Sequence, residues 1–302
     1  MSTSGVYGTL RAGTVTLRLT ARLKRLPEAL KATLSNCGGR NPRHERFAGH
    51  LARRDIPEEQ YVAICHALIF PNGVRKTTSP RRNTELVKSL LDRGMLQLAP
   101  RMRVLEAAAS AGLDALSNHE LLAERCAIDQ YVLGDLHTHV LYDRKRGLVF
   151  DEDGTLLQID GKTHFVSINF SYRYPFQKWV TLPMKLRPFL LEQRRENSFG
   201  PADPLERIPI AHPALRIDEP GTPFTVRRMD VFEPIDGRFE LIICLHLLVP
   251  MYFPPETINR AIKNLASALE VGGTLVTGSR EYPRVIRRTS ASAFETLLGP
   301  PP

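Results

Sequence analysis

Three acidic residues stand where predicted strands end and where a small-molecule site can use them. Glu106, Asp135 and Asp230 each close a short, largely apolar run. The carboxyl ends of parallel strands meet at one edge of a sheet, so we expect the three carboxylates to share that edge. A carboxylate there can accept both hydroxyls of a ribose, the role expected for Asp135, or an adenine amino group, the role expected for Asp230. The set favours a nucleoside site.

The segment Glu106–Gly112, with the sequence EAAASAG, joins the first of these strands to a predicted helix through small residues. Such a turn lets backbone N–H groups at the helix N-terminus approach a ligand closely. Small residues at a strand-to-helix turn also serve packing alone. The interpretation of this segment as part of a ligand site is supported by Asp135, which follows Gly112 by 23 residues at the end of the next predicted strand.

The elements that must position these groups change in character near residue 100. We predict a basic, mostly helical region over residues 1–100, with an amphipathic helix within 15–34 and further helices over 58–70 and 84–96. Residues 101–302 form a predicted α/β domain. Its strands alternate with helices, which is typical of a mostly parallel sheet with flanking helices. The predicted strands contain the runs RVLE, QYVLGDL, FTVRRMDVF, FELIICLHLL and GGTLVTGS.

An insert at about residues 136–221 interrupts this domain. The pairs Asp153-Gly154 and Asp160-Gly161 predict hairpin turns and therefore an antiparallel β insert, while residues 181–197 favour a helix. The insert is either a lid or substrate-recognition subdomain, or a structural extension. Four aromatic residues within it either wall an apolar pocket or serve packing alone: Tyr172, Tyr174, Phe176 and Trp179.

The run FELIICLHLLVPMYFPPETINRAIKNLASALEVGGTLVTGSRE, residues 239–281, resembles the fourth strand, helix and fifth strand of class I S-adenosylmethionine-dependent methyltransferases. The resemblance covers roughly residues 103–281 without the insert, and it implies a Rossmann-like fold with S-adenosylmethionine as cofactor. It also implies the cofactor-binding residues Glu106, Ala108, Ser110, Gly112, Asp135 and Asp230. The family closes its sheet with a terminal antiparallel hairpin. Few residues follow Glu281, so we expect its last strands to be short or partly missing.

The implied first motif is an acid followed by three alternate glycines, and here Ala108 and Ser110 occupy the first two glycine positions. Ala108 is the larger departure, because it places a methyl group where the methionine portion of the cofactor approaches the backbone. That methyl group is expected to weaken or abolish binding. The sequence therefore supports two interpretations, a working enzyme and a methyltransferase-like protein without catalysis.

The implied chemistry is an in-line methyl transfer to an oxygen, nitrogen or carbon nucleophile. His246, just beyond the fourth strand, is the first candidate for the base that accepts the nucleophile's proton, and Tyr252 can orient a substrate. A partly buried structural histidine and a packing tyrosine are the alternatives. His137 and His139 flank Thr138, but two histidines lack a third ligand, so we predict no metal.

Composition and charge limit the classes of protein. A chain of 302 residues with 42% hydrophobic and 24% charged residues is not largely disordered, and no run approaches the ~20 apolar residues that span a bilayer. Residues 1–103 hold 19 Lys and Arg against 7 Asp and Glu, and residues 104–302 hold 22 against 25. The basic part leaves an anionic partner or a membrane surface open as an interpretation. Its densest loop contains Arg75, Lys76, Arg81 and Arg82. We expect this loop to be solvated, and contact with the cofactor carboxylate or an anionic substrate is the alternative.

Four cysteines without a CxxC pair favour reduced thiols and a cytoplasmic protein, peripheral to a membrane if the basic region docks on one. The leading hypothesis is a methyltransferase acting on a small molecule, with the N-terminal region and the insert forming the substrate chamber. A catalytically silent scaffold or regulatory protein is the alternative. Nucleic-acid or protein methylation is a further one, whereas the absence of GxGxxG disfavours a dinucleotide oxidoreductase.

Overall fold

The computed structural model describes residues 47–53, 55–68, 70, 76, 79–145, 147–161, 164–167, 204–217, 219–250 and 252–299. Several predictions lie outside these residues: the helices within 15–34 and 181–197, Arg75, and the aromatic residues Tyr172, Tyr174, Phe176 and Trp179. The chain forms two compact units. The parallel-sheet unit comprises Thr78–Thr138 and Ile210–Pro302, and the antiparallel-sheet unit comprises Met1–Thr77 and His139–Pro209. The predicted division at residue 100 stays a prediction.

Among the described residues, the helices are α1 Glu58–Ala67, α2 Thr84–Asp92, α3 Leu113–Ala123 and α4 Pro255–Ser267. The strands are β1 Arg101–Ala107, β2 Ala127–Asp135, β3 His139–Asp143, β4 Leu148–Phe150, β5 Leu156–Gly161, β6 His164–Ser167, β7 Glu206–Pro209, β8 Phe224–Arg228, β9 Phe239–Leu245, β10 Leu269–Gly278, β11 Pro283–Arg288 and β12 Phe294–Leu298. Helices α1 and α2 belong to the predicted helical N-terminal region. Within this part of the chain, no helix combines the length and the apolar character needed to cross a membrane.

The parallel-sheet unit is built on seven strands in the order β12-β11-β10-β9-β1-β2-β8. Strands β8, β2, β1, β9 and β10 run parallel, and β11 and β12 are antiparallel to their neighbours. This order confirms the predicted Rossmann-like, mostly parallel sheet. Both strands of the terminal hairpin are present, with six residues in β11 and five in β12, so neither is missing.

Helices cover both faces of this sheet. On one face α2 and α3 bury Leu90 and Leu122 against Val104 of β1. On the other face α4 buries Ile262 against Leu105. Successive strand residues point to opposite faces, so β1 is apolar on both sides, as expected for a central parallel strand. Each such buried Leu or Ile side chain contributes about 1.5–3 kcal/mol.

The antiparallel-sheet unit contains five strands in the order β6-β5-β4-β3-β7. This sheet confirms the predicted antiparallel β insert. The turn predicted at Asp153-Gly154 joins β4 to β5, and the Asp151 side chain accepts the Thr155 N–H there at 2.7 Å. The turn predicted at Asp160-Gly161 is wrong for these two residues, because both lie in β5 and pair with β6.

Candidate functional site

The carboxyl ends of β1, β2 and β9 bring three predicted site residues to one edge of the parallel sheet. Glu106 stands opposite Leu133 of β2 and Ile243 of β9. Asp135 is the last residue of β2, and His246 directly follows β9. The edge therefore carries an acid from each of two adjacent strands and a histidine beside them.

The loop between β1 and α3 has a left-handed backbone at alternate residues. The φ angle is 59° at Ala108, 57° at Ser110 and 75° at Gly112. These are the three positions at which the resemblance implies glycine. The left-handed conformation costs an L-residue roughly 1–2 kcal/mol, so Ala108 and Ser110 keep, under strain, a shape that glycine adopts freely. Backbone strain of this kind concentrates at ligand sites.

Gly112 is needed for a second reason besides its φ angle. A Cβ atom at this position would overlap Leu133 Cδ2 and lie 2.7 Å from Leu215 Cδ1. Without a side chain here, α3 can begin at Leu113 close against β2.

Asp135 ties this loop to the end of β2. Its Oδ2 accepts the Ser110 N–H at 2.8 Å, and its Oδ1 accepts the His137 N–H at 3.1 Å. Asp135 therefore lies beside the loop at the carboxyl edge of the sheet. Its predicted role toward a ribose stays a prediction.

The residues at this edge fit the cofactor that the resemblance implies. The Ser110 hydroxyl is buried and has no hydrogen-bond partner among the residues that the structure describes. Leaving such a group unsatisfied costs about 1–3 kcal/mol, which a bound polar group relieves. Together with the left-handed loop and Asp135, this hydroxyl suits a polar nucleoside derivative. The predicted effect of the Ala108 methyl group on binding stays a prediction.

Glu106 lies between the sheet and α3, with 6% of its surface exposed. Its Oε2 accepts the Tyr131 hydroxyl at 2.6 Å and the Asn118 amide N–H at 3.3 Å. Burial raises the pKa of Glu106 to about 7, against the lowering effect of the Tyr131 hydrogen bond. These contacts are with β2 and α3, and the predicted contact with the cofactor stays a prediction.

Asp230 lies in an exposed loop, two residues beyond the end of β8. Its Oδ1 accepts the Phe232 N–H at 2.9 Å. The preceding residue, Met229, donates its N–H to the Asp135 carbonyl at 2.9 Å, which holds this loop beside the end of β2. Asp230 also lines an open cavity of about 440 Å³ with residues 227–229 and 233–237. Its role toward adenine stays a prediction.

His246 has a left-handed φ angle of 65°, and its backbone N–H donates to the Gly278 carbonyl at 2.7 Å. Its ring Nε2 lies 2.8 Å from Asn83 Oδ1, in the turn before α2. Burial lowers the pKa of His246, Arg82 lowers it further, and Glu281 opposes both. The imidazole is therefore kept neutral near pH 7, which is the form that a general base needs.

Sequence reasoning missed two residues of this arrangement, Asn83 and Asp114. Asn83 is 7% exposed and 163 residues from His246 in the chain. Asp114, in the first turn of α3, accepts the backbone N–H of Asn83 at 3.1 Å and its Nδ2–H at 2.8 Å. An asparagine before a helix is typical of an N-cap, yet this side chain makes no cap hydrogen bond. No local pattern signals this role.

The second predicted catalytic residue, Tyr252, is 55% exposed. Its described contacts are within its own segment: its N–H donates to the Val249 carbonyl, and its ring centroid lies 6.5 Å from that of Phe253. Its predicted part in orienting a substrate stays a prediction.

The basic loop is only partly solvated. Arg81 and Arg82 are exposed, as predicted. Lys76 is 2% exposed, with Nζ 5.5 Å from the centroid of the Phe70 ring, so its predicted solvation is wrong. The aromatic ring and the apolar stem of the lysine favour this burial. In the described ranges, no group of three or more His, Cys, Asp or Glu could hold a metal ion.

No protein-family model and no curated protein matches the sequence. Among solved structures, the N-methyltransferase NodS from Bradyrhizobium japonicum WM9, in complex with S-adenosyl-L-homocysteine, is 13% identical at a TM-score of 0.29. That match covers 69% of this chain and 66% of NodS. An O-methyltransferase family protein from Burkholderia thailandensis is 12% identical at a TM-score of 0.30, covering 86% of this chain and 50% of that one.

Human N-acetylserotonin methyltransferase, in complex with S-adenosylmethionine, is 11% identical at a TM-score of 0.30. That match covers 88% of this chain and 49% of the human protein. The chain thus spans less than two thirds of each of these proteins. The assignment of the fold rests on the strand order described above.

Proposed function

We propose that this chain, which has the Rossmann-like fold of the class I S-adenosylmethionine-dependent methyltransferases, transfers a methyl group from S-adenosylmethionine to a small molecule. The observation that carries the proposal is the loop between β1 and α3. Its left-handed residues Ala108, Ser110 and Gly112 stand beside the Asp135 carboxylate, to which Ser110 donates its N–H. A loop and an acid in this arrangement bind nucleoside derivatives at the carboxyl edge of a parallel sheet.

Each group at the edge has a separate part in binding. Asp135 accepts the ribose hydroxyls, Asp230 accepts the adenine amino group, and the loop presents backbone N–H groups. The Ser110 hydroxyl gains a partner that it lacks in the described part of the chain. When bound, the cofactor supplies an electrophilic methyl group on a positively charged sulfur.

His246 accepts the proton that an oxygen or nitrogen nucleophile loses as it attacks the methyl group. Burial and Arg82 lower the pKa of His246, so the ring is neutral and able to accept a proton at neutral pH. A well-placed general base contributes about 10²–10⁴-fold to a rate. For a nucleophile that is already deprotonated, alignment alone provides the acceleration, and His246 then only borders the substrate.

Calorimetric titration with S-adenosylmethionine and S-adenosyl-L-homocysteine tests the proposal. We expect both to bind, and we expect Asp135→Asn to weaken binding by roughly 10- to 100-fold, since a hydrogen bond to a charged group contributes about 1.5–3 kcal/mol. Asp129→Asn is the matched control, because Asp129 lies on the same strand but is exposed and paired with Arg101 at 2.7 Å. Folded wild-type protein that binds neither nucleoside would contradict the proposal.

A second candidate function, a methyltransferase-like scaffold without catalysis, is favoured by one observation. Ala108 carries a methyl group at a strained position in the cofactor loop. If wild-type protein fails to bind and Ala108→Gly binds, the scaffold is the better description. The cytoplasmic location and an anionic partner or membrane surface for the basic N-terminal region stay predictions.

A further inference from the structure

We infer that Asn83 and Asp114 are positioning residues that keep the proton of neutral His246 on Nε2 and leave Nδ1 to accept the substrate's proton. The catalytic meaning of this inference rests on the proposed function. The protonation pattern itself is a property of the protein without cofactor.

The first step is the orientation of the Asn83 amide. The Asp114 carboxylate receives two hydrogen bonds from Asn83, one from the backbone N–H at 3.1 Å and one from the side chain at 2.8 Å. An ionised carboxylate offers only acceptors, so the side-chain atom that faces it must be the amide nitrogen. The backbone bond holds the residue in register, and the amide oxygen consequently faces His246.

The second step is the tautomer of the imidazole. His246 Nε2 lies 2.8 Å from Asn83 Oδ1, and an amide oxygen can only accept. Nε2 must therefore donate. A neutral imidazole carries one proton, so Nδ1 is left with a lone pair and is the atom able to act as a base.

The third step is how the arrangement responds when Nδ1 takes up a proton. The ring then donates from both nitrogens, and the Nε2–H bond to Asn83 is kept. The Asn83 amide in turn donates to Asp114, so a carboxylate stabilises the imidazolium through one neutral group. Two further charged groups act on the ring, Arg82 beside Asn83 and Glu281 after β10, with opposite effects.

A hydrogen bond also fixes the His246 backbone. A non-glycine residue at a φ of 65° is strained, and the N–H bond to the Gly278 carbonyl keeps it there. The side chain is thus anchored to β10 through the backbone and to the turn before α2 through Nε2. A base fixed at both ends loses little orientational freedom when substrate binds.

Nitrogen-15 NMR of histidine-labelled protein tests the tautomer directly, with His246→Gln to assign the signal. Above its pKa, we expect His246 to show a protonated Nε2 and an unprotonated Nδ1. Asn83→Ala and Asp114→Asn should produce a mixture of tautomers, whereas Asp114→Glu, which keeps a carboxylate, should restore the wild-type pattern. The control is Asn264→Ala, since Asn264 instead donates to the Val231 carbonyl at 3.3 Å.

A mixed or Nδ1-protonated His246 in wild-type protein would overturn the inference, as would an Asn83→Ala signal identical to wild type. If Asn83→Ala does not fold, Asp114→Asn decides in the same way. Once a substrate is known, Asp114→Asn should lower kcat roughly tenfold or more with little change in KM. The reason is that a base without the correct tautomer and orientation no longer accelerates methyl transfer by its usual factor. The expected tautomer in a protein that binds no S-adenosylmethionine would support the inference while contradicting the proposed function.

Discussion

Replacing Glu106 by glutamine tests the buried hydrogen-bonded group at the end of β1, next to the loop between β1 and α3. Burial raises the pKa of Glu106 from 4.5 to about 7, while hydrogen bonds from Tyr131 and Asn118 act in the opposite direction. Glutamine has nearly the same shape and does not titrate. Its amide oxygen can still accept the hydrogen bonds that Tyr131 and Asn118 donate to Glu106 Oε2.

The size of the effect follows from the two pKa values. Because the folded state holds the proton more tightly, this group stabilises the fold fully below the unfolded pKa of about 4.5. That contribution is lost as the pH rises through about 7. At about 1.4 kcal/mol per pH unit over this range, the wild-type protein loses about 3 kcal/mol of unfolding free energy. Glu106→Gln does not lose it.

Urea unfolding followed by far-UV circular dichroism, from about pH 4.5 to about pH 8, measures the difference. We expect the stability of Glu106→Gln relative to wild type to increase by about 3 kcal/mol across that interval. Glu85→Gln is the control, because Glu85 is exposed on α2. A difference that does not change with pH, or that matches the control, would refute the buried arrangement of Glu106 with Tyr131 and Asn118.

Three further predictions concern the loop and the thiols. Ala108→Gly should raise the free energy of unfolding by up to about 1 kcal/mol in urea titrations, because glycine adopts the left-handed backbone without strain. The same change should tighten cofactor binding. A lower free energy of unfolding would show that Ala108 is not strained. Gly112→Ala should lower the free energy of unfolding by more than roughly 2 kcal/mol through its φ angle and its overlap with Leu133, and an unchanged melting temperature would count against this. Burial raises the pKa of the Cys65 and Cys244 thiols to about 12, so these two thiols should resist iodoacetamide in the folded protein. Rapid native alkylation that peptide mass spectrometry maps to Cys65 or Cys244, rather than to the partly buried Cys126, would disprove their burial.

The parallel sheet and its edge were predictable because they depend on local spacing. The residues Ile258, Ile262 and Leu265 recur at helical intervals, and all three are buried on one face of α4. The apolar run before Asp135 likewise marks where β2 ends. Patterns of period two and period 3.6 are sufficient for such features, since each is contained in a short stretch of chain.

The contacts within the site were not predictable, because they join distant residues. Asn83 and His246 are 163 residues apart, and no pattern in the sequence around either residue indicates their contact. Glu106 shows a different limit. Both faces of β1 are buried, so the alternation of a strand does not indicate that this side chain lies against Tyr131 and Asn118.

The position of β1 at the centre of its sheet has a consequence for how the protein is made. One neighbour, β2, follows directly, but Val104 of β1 also pairs with Leu241 of β9, which lies 137 residues later in the chain. At about 5–20 residues per second, synthesis of that partner takes on the order of 10 s. Until then an apolar strand edge lacks its partner and is open to pairing with other chains. We therefore expect nascent chains that end before β9 to aggregate or to need a chaperone, and the sheet to close only after the insert has been translated.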